Sequence, residues 1–117
     1  EGLRALVDEY IGPTGITRAE AERRLMEAAG VSVPAALQLG VACGCEHCGG
    51  KGYKGRMGVY EILENSPGLR DLIQRRARTA EINAMALEAG MRCLRHDALE
   101  KAVQGKLDLI QARAAFL

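Results

Sequence analysis

Cys45-Glu46-His47-Cys48-Gly49-Gly50-Lys51-Gly52-Tyr53-Lys54-Gly55-Arg56 is the stretch around which the other segments arrange themselves. Two cysteines separated by two residues grip a metal ion from a single tight turn, with Zn–S distances near ~2.3 Å. The glycines that follow permit positive φ and let backbone N–H groups point back at the sulfurs. Upstream of this stretch the pattern is helical; downstream it is one strand and then more helices. The expected fold class is therefore mainly α, in three parts. Residues 1–40 form a small helical subdomain, and residues 41–64 a glycine-rich cysteine knuckle with a short β-strand or hairpin. Residues 65–117 form a four-helix C-terminal array.

Upstream, Leu3, Leu6, Val7, Tyr10 and Ile11 repeat at helical spacing and form one apolar stripe, which Gly12-Pro13 ends. Thr17 with Glu20 three residues on predicts a capping box at the start of a second helix. Ala21, Leu25, Ala28 and Ala29 supply its buried face, and Gly30 is its closing residue. Val33-Pro34 predicts a short third helix through Leu37. None of these residues carries recognisable chemistry.

Downstream, residues 43–58 hold six glycines in sixteen positions. Val59-Tyr60-Glu61-Ile62-Leu63 reads as a strand, being β-branched and aromatic, with a hairpin partner in residues 51–57. Ser66 then Pro67 predicts a helix start, with Leu69, Leu72 and Ile73 buried. Thr79 is the expected cap of the next helix, whose face is Ile82, Met85, Ala86 and Ala89, closed by Gly90. A helix carrying Leu94, Ala98, Leu99, Ala102 and Val103 ends at Gly105. Asp108, with Gln111 three residues on, starts the last, through Ile110 and Ala114. Short connections predict that sequential helices lie side by side.

A chain of 117 residues with no Trp, one Phe and three Tyr must build its core from Leu, Ile, Val, Ala and Met. A net charge of +1 supplies no field for nucleic acid. Arg75-Arg76-Ala77-Arg78 reads as a solvated helix end. No apolar run approaches the ~20 residues that span a bilayer, so direct membrane insertion is not expected. The chain opens almost directly into helical pattern at Glu1, without Met, and reads as a piece of something longer. Cysteines at 43, 45, 48 and 93 fit metal better than a disulfide framework, which points to a reducing compartment.

A phosphate-cradling G-x-x-x-x-G-K-[ST] loop is absent from this sequence, and with it any group to hold a triphosphate and Mg²⁺; the chain itself is not expected to hydrolyse ATP. Cys93 with His96 has no hydrolytic motif behind it: Cys93 reads as a small buried residue, His96 as a surface one. A thioredoxin-like redox pair opens a helix after a strand, which Gly49-Gly50-Lys51-Gly52 does not. Cys45 and Cys48 are the candidate metal ligands, and zinc the candidate ion. A closed site needs two more donors. Cys43 is a possible additional one, with Cys93, His47 and His96 further off; a former metal site whose cysteines are bystanders stands beside the zinc reading.

The run Cys45-x-x-Cys48-x-Gly50-x-Gly52-Tyr53-Lys54-Gly55-Arg56-Met57-Gly58-Val59-Tyr60-Glu61 resembles the type II secretion and type IV pilus assembly ATPases (general secretory pathway protein E-like and pilus assembly protein B-like), in their C-terminal region. Gly90-Met91-Arg92-x-Leu94-Arg95-x-Asp97 and the run from Ala98 to Asp108 continue the resemblance. It implies the non-catalytic C-terminal domain of a hexameric cytoplasmic motor, peripheral to the bacterial inner membrane. ATP and magnesium would be bound elsewhere in the parent protein, itself an ATPase. Implied partners are the motor's own ATPase core, neighbouring subunits and inner-membrane platform proteins. Cys45 and Cys48 match the family's second cysteine pair; residues 1–42 hold no cysteine to match the first, so either that pair lies just upstream of Glu1, or it is lost and the helices at 3–29 are an insertion in its place. Arg56 and Glu61, bracketing the exit from the knuckle, are candidates for a core or subunit contact, or for a local salt bridge. Cys45-x-x-Cys48-x-Gly50-x-Gly52 also fits the zinc-domain repeat of J-domain co-chaperones. That is the alternative function, a zinc-knuckle binding module, although the domain needs four copies.

Overall fold

The computed structural model describes Gly2–Phe116. Among these residues it contains six α-helices: α1 (Gly2–Ile11), α2 (Arg18–Ala29), α3 (Pro67–Gln74), α4 (Thr79–Glu88), α5 (Leu94–Val103) and α6 (Leu109–Ala114). Among the described residues no helix is long and apolar enough to cross a membrane.

Local chemistry accounts for most helix boundaries. Leu6, Val7 and Tyr10 are the buried face of α1, as their spacing predicts. The Thr17 side chain accepts from the Glu20 N–H at 3.1 Å, and α2 ends at Gly30 with φ 71°. Ser66 accepts from Leu69 N–H at 3.2 Å with Pro67 following, and Asp108 accepts from Gln111 N–H at 2.8 Å. Each satisfies an N–H that the helix itself leaves unpaired. Thr79 is not a cap: Arg78 holds that position, and Thr79 is the first helical residue. The expected third helix is a single 3₁₀ turn, Pro34–Ala36.

Burial also departs from the pattern in places. Ile73 and Ile110 are 53% and 69% exposed, and Ala112 is what α6 buries. His96 lies fully inside rather than on the surface. It sits three residues before Leu99 and seven before Val103, on the apolar face of α5.

Neither strand nor hairpin forms among the described residues. Val59–Leu63 belongs to no ladder and makes no backbone–backbone hydrogen bond. Strand preference is largely a preference for packing against a neighbouring strand, and what lies beside this segment is the start of helix α5. The expected hairpin partner, 51–57, is bent by Gly52 and Gly55 at φ 86° and 74°.

The helices after residue 65 divide between two packing units rather than forming one array. α3 and α4 pair with each other, burying Leu69, Leu72 and Ala86. α5 packs instead on α1, α2 and α6. One core results, of Leu6, Val7, Tyr10, Ala21, Leu25, Ala98, Leu99, Ala102, Val103 and Ala112. Four alanines at facing positions let these helices approach closely, so the leucines and Tyr10 fill the space between them.

Candidate functional site

Residues 45–50 form a turn closed by Gly50 N–H to the Cys45 carbonyl at 2.8 Å and Gly49 N–H to the Glu46 carbonyl at 3.2 Å. The two thiols emerge on the same side of it. The Cys45 thiol donates to Cys48 Sγ at 3.1 Å, and that sulfur also accepts from Gly52 N–H at 3.1 Å and Cys45 N–H at 3.3 Å. Gly49, Gly50 and Gly52 all take positive φ. A Cβ on Gly52 would stand 2.9 Å from the Ala42 Cβ, so only glycine brings this N–H to the sulfur. The donors, led by the Cys45 thiol and then Gly52 N–H, bring the Cys48 thiol down from 9.0 to about 7. Its thiolate is accordingly well populated near neutrality.

The other candidate donors stay apart from this pair. Cys43 is exposed, its Sγ 3.9 Å from the Gly44 carbonyl oxygen. His47 Nε2 faces Lys54 Nζ at 3.3 Å. Cys93 is the N-cap residue of α5, and His96 is buried beneath it. No three metal-ligating side chains cluster among the described residues. A structural zinc site takes four ligands; the donor set here supplies two. Among the described residues these donors do not fit a closed zinc site.

Arg56 and Glu61 do not pair. Arg56 lines an open cleft of ≈ 820 Å³ with Lys54, Lys106 and the tip of α6. Glu61 Oε1 accepts from Leu94 N–H at 2.9 Å, at the first residue of α5. Tyr53 donates its hydroxyl to Asp108, which ties the glycine loop to the cap of α6.

Between the knuckle and α3, residues 56–65 make no backbone–backbone hydrogen bond among the described residues. Tyr60 N–H donates to Asp97 Oδ2 at 2.9 Å, and Lys101 Nζ lies 5.0 Å from the centre of the Tyr60 ring. Tyr60 and Ile62 are 63% and 70% exposed. Together with Leu63, Leu69 and Met91 they line a groove of ≈ 440 Å³.

A buried polar cluster escaped the sequence reading. Tyr10 donates to Glu100 Oε2 at 2.6 Å and stacks on His96 with ring centroids 4.4 Å apart. Arg24 pairs with Glu20 at 2.7 Å, and Arg92 with the same Glu100 oxygen at 3.3 Å. His96 Nδ1 accepts from Cys93 N–H at 3.4 Å, while its Nε2 and Arg24 Nη1 are buried without a partner among the described residues. Burial, with the Arg24 and Arg92 charges, holds the His96 imidazole neutral, down from 6.5 to about 4. The signal that could have found it is the register of His96 with Leu99 and Val103.

The family model described as type II/IV secretion system protein matches residues 17–114. The type IV pilus assembly ATPase PilB of Pseudomonas aeruginosa is 44% identical over 62 residues, 53% of this chain and 11% of that protein. PilB of Thermus thermophilus is 45% identical over 62 residues, 53% of this chain and 7% of that protein. The type II secretion system protein E of Xanthomonas campestris pv. campestris is 40% identical over 55 residues, 47% of this chain and 10% of that protein. The chain thus spans roughly a tenth of the length of these relatives. No solved structure matches it. With most of its length inside the family model and relatives in both branches, the chain belongs to the type II/IV secretion system protein family.

Proposed function

We propose that this chain is a non-catalytic C-terminal coupling segment of a hexameric traffic ATPase that powers type IV pilus assembly or type II secretion. It would dock on the ATPase core and a neighbouring subunit, in the cytoplasm at the inner-membrane platform. ATP and magnesium belong to the rest of that motor, since no phosphate-binding loop occurs in these 117 residues.

The observation that carries this reading is Val59–Leu63, which makes no backbone–backbone hydrogen bond, with Tyr60 and Ile62 more than half exposed. A segment whose backbone is largely free to pair is a template for a further strand. Glu61 and Asp97 hold it at the start of α5, so force on the docked segment would pass directly into the helical core. Arg56 offers a cation beside it. The co-chaperone alternative gains no support, because one C-x-x-C-x-G-x-G copy is present where four are needed.

The test is Ile62→Asp in the full-length motor. Losing ~1.5–3 kcal/mol of apolar burial weakens docking by about tenfold or more, read as lost ATP turnover and hexamer assembly. The 117-residue chain carrying the same change should unfold at an unaltered temperature, because Ile62 is exposed there. Full turnover by the variant motor would exclude this docking role.

A further inference from the structure

The cleft of ≈ 820 Å³ between the glycine loop and α6 gathers cations that have no carboxylate partner. Lys54, Arg56 and Lys106 line it and are exposed, and no salt bridge among the described residues involves a side chain of its lining. Lys54 Nζ faces His47 Nε2 at 3.3 Å, which brings it no negative charge. Among the described residues the one carboxylate of the lining is Asp108, already engaged by the Tyr53 hydroxyl and the Gln111 N–H. The rest of the lining is largely apolar and open: Val41 is 87% exposed and Met57 42%, with Leu107 and Ala114 nearby. Residues 53–57 make no backbone–backbone hydrogen bond among the described residues, so their N–H and C=O groups are open to a strand laid alongside.

We propose that this cleft docks an extended, acidic and partly apolar segment of a partner protein. Its carboxylates pair with Lys54, Arg56 and Lys106, and its apolar side chains cover Val41 and Met57. Charge complementarity selects this occupant. A second copy of the chain offers no matching run of acids: Glu46, Glu64 and Glu88, exposed and without a salt bridge, sit on three separate segments. Glu61, three residues before Glu64, is held by the Leu94 N–H. A nucleic-acid backbone would satisfy the cations but leave Val41 and Met57 uncovered. The inference is separate from the motor reading, whose exposed side chains, Tyr60 and Ile62, lie outside this cleft.

The experiment measures, by fluorescence anisotropy, binding of a labelled short peptide of alternating Glu and Val to the 117-residue chain, whose helices close a core of their own. The expected result is saturable binding that weakens as salt rises, with the matching Gln–Val peptide about tenfold weaker. Lys54→Glu together with Lys106→Glu should weaken binding of the Glu peptide by about tenfold or more. Arg70→Glu on α3, outside the cleft, should change it less than about twofold, as should Ile62→Asp, which tests the motor reading instead. Far-UV circular dichroism should be the same for every variant, because all four side chains are exposed. No binding of the Glu peptide, or equal binding of the Gln peptide, would overturn the proposal. So would unchanged binding by the Lys54→Glu, Lys106→Glu variant, or an equal loss with Arg70→Glu. Displacement of the peptide by an equimolar single-stranded oligonucleotide would overturn it as well, by assigning the cleft to nucleic acid.

Discussion

The helical core and the glycine loop owe their shapes to different forces. In α1, α2, α5 and α6 position is set by burial: Val7, Tyr10, Leu25 and Leu99 are all fully enclosed. In residues 41–56 almost nothing is enclosed, and position is set by turn hydrogen bonds, positive-φ glycines and N–H···S contacts. The first kind of order is collective, because removing one side chain leaves a void its neighbours cannot fill. The second is local, and each contact stands nearly alone. The two regions should accordingly respond to substitution almost independently, apart from the few bonds that join them.

The sharpest way to break this comparison is Leu99→Ala against Cys48→Ser. Leu99 is fully buried at the meeting of α1, α2 and α5. Its truncation should cost about 2–5 kcal/mol, measured by chemical denaturation. In metal-free solution Cys48→Ser should shift the midpoint by less than ~0.5 kcal/mol. Comparable losses from both would show that the loop is structurally integral to the core.

The next effect comes from inside the core itself. His96 faces Tyr10 on α1, Arg24 on α2, and Arg92, Arg95 and Glu100 around its own helix. Its folded pKa of about 4 lies below the ordinary 6.5, so the unfolded chain binds the extra proton between those values. This contribution to stability is complete above 6.5 and is lost as pH falls toward 4. The slope for one proton is at most about 1.4 kcal/mol per pH unit. Glu20, held at about 2 by Arg23 and Arg24 rather than the usual 4.5, loses its contribution only at lower pH. Unfolding of a His96→Gln variant should be flatter than that of the unsubstituted chain from pH 6.5 to 4. An unchanged slope would place the pH dependence elsewhere.

The same contrast explains what could be read from residues alone. Caps are short-range chemistry, so Thr17, Ser66 and Asp108 were readable as helix starts. The partner choice of α5 was not. Besides its successor α6, it packs on α1 and α2, some seventy to ninety residues away, rather than on its predecessor α4, and no local signal carries that choice. His96 was misplaced for a related reason: its type suggests solvent, while its register with Leu99 places it inside. Val59–Leu63 has strand composition without a strand, since pairing requires a second segment that composition alone does not supply.

The smallest effects lie where the two regions touch. Asp108 both caps α6, accepting from Gln111 N–H at 2.8 Å, and accepts the Tyr53 hydroxyl from the glycine loop. The Tyr53 bond, more than the cap, holds the Asp108 carboxyl below its usual range. Asp108→Ala removes both contacts and should cost about 0.5–2 kcal/mol, mostly through the cap. Tyr53→Phe removes only the tether. Tyr53 is exposed and Asp108 half-buried, so the net loss should be smaller than that of Asp108→Ala. Its distinctive readout is hydrogen exchange: the Gly50 and Gly52 amides should exchange faster, while amides in α2 and α5 keep their protection. If Tyr53→Phe speeds exchange in α5 as well, loop and core form one cooperative unit and the separation drawn between them fails.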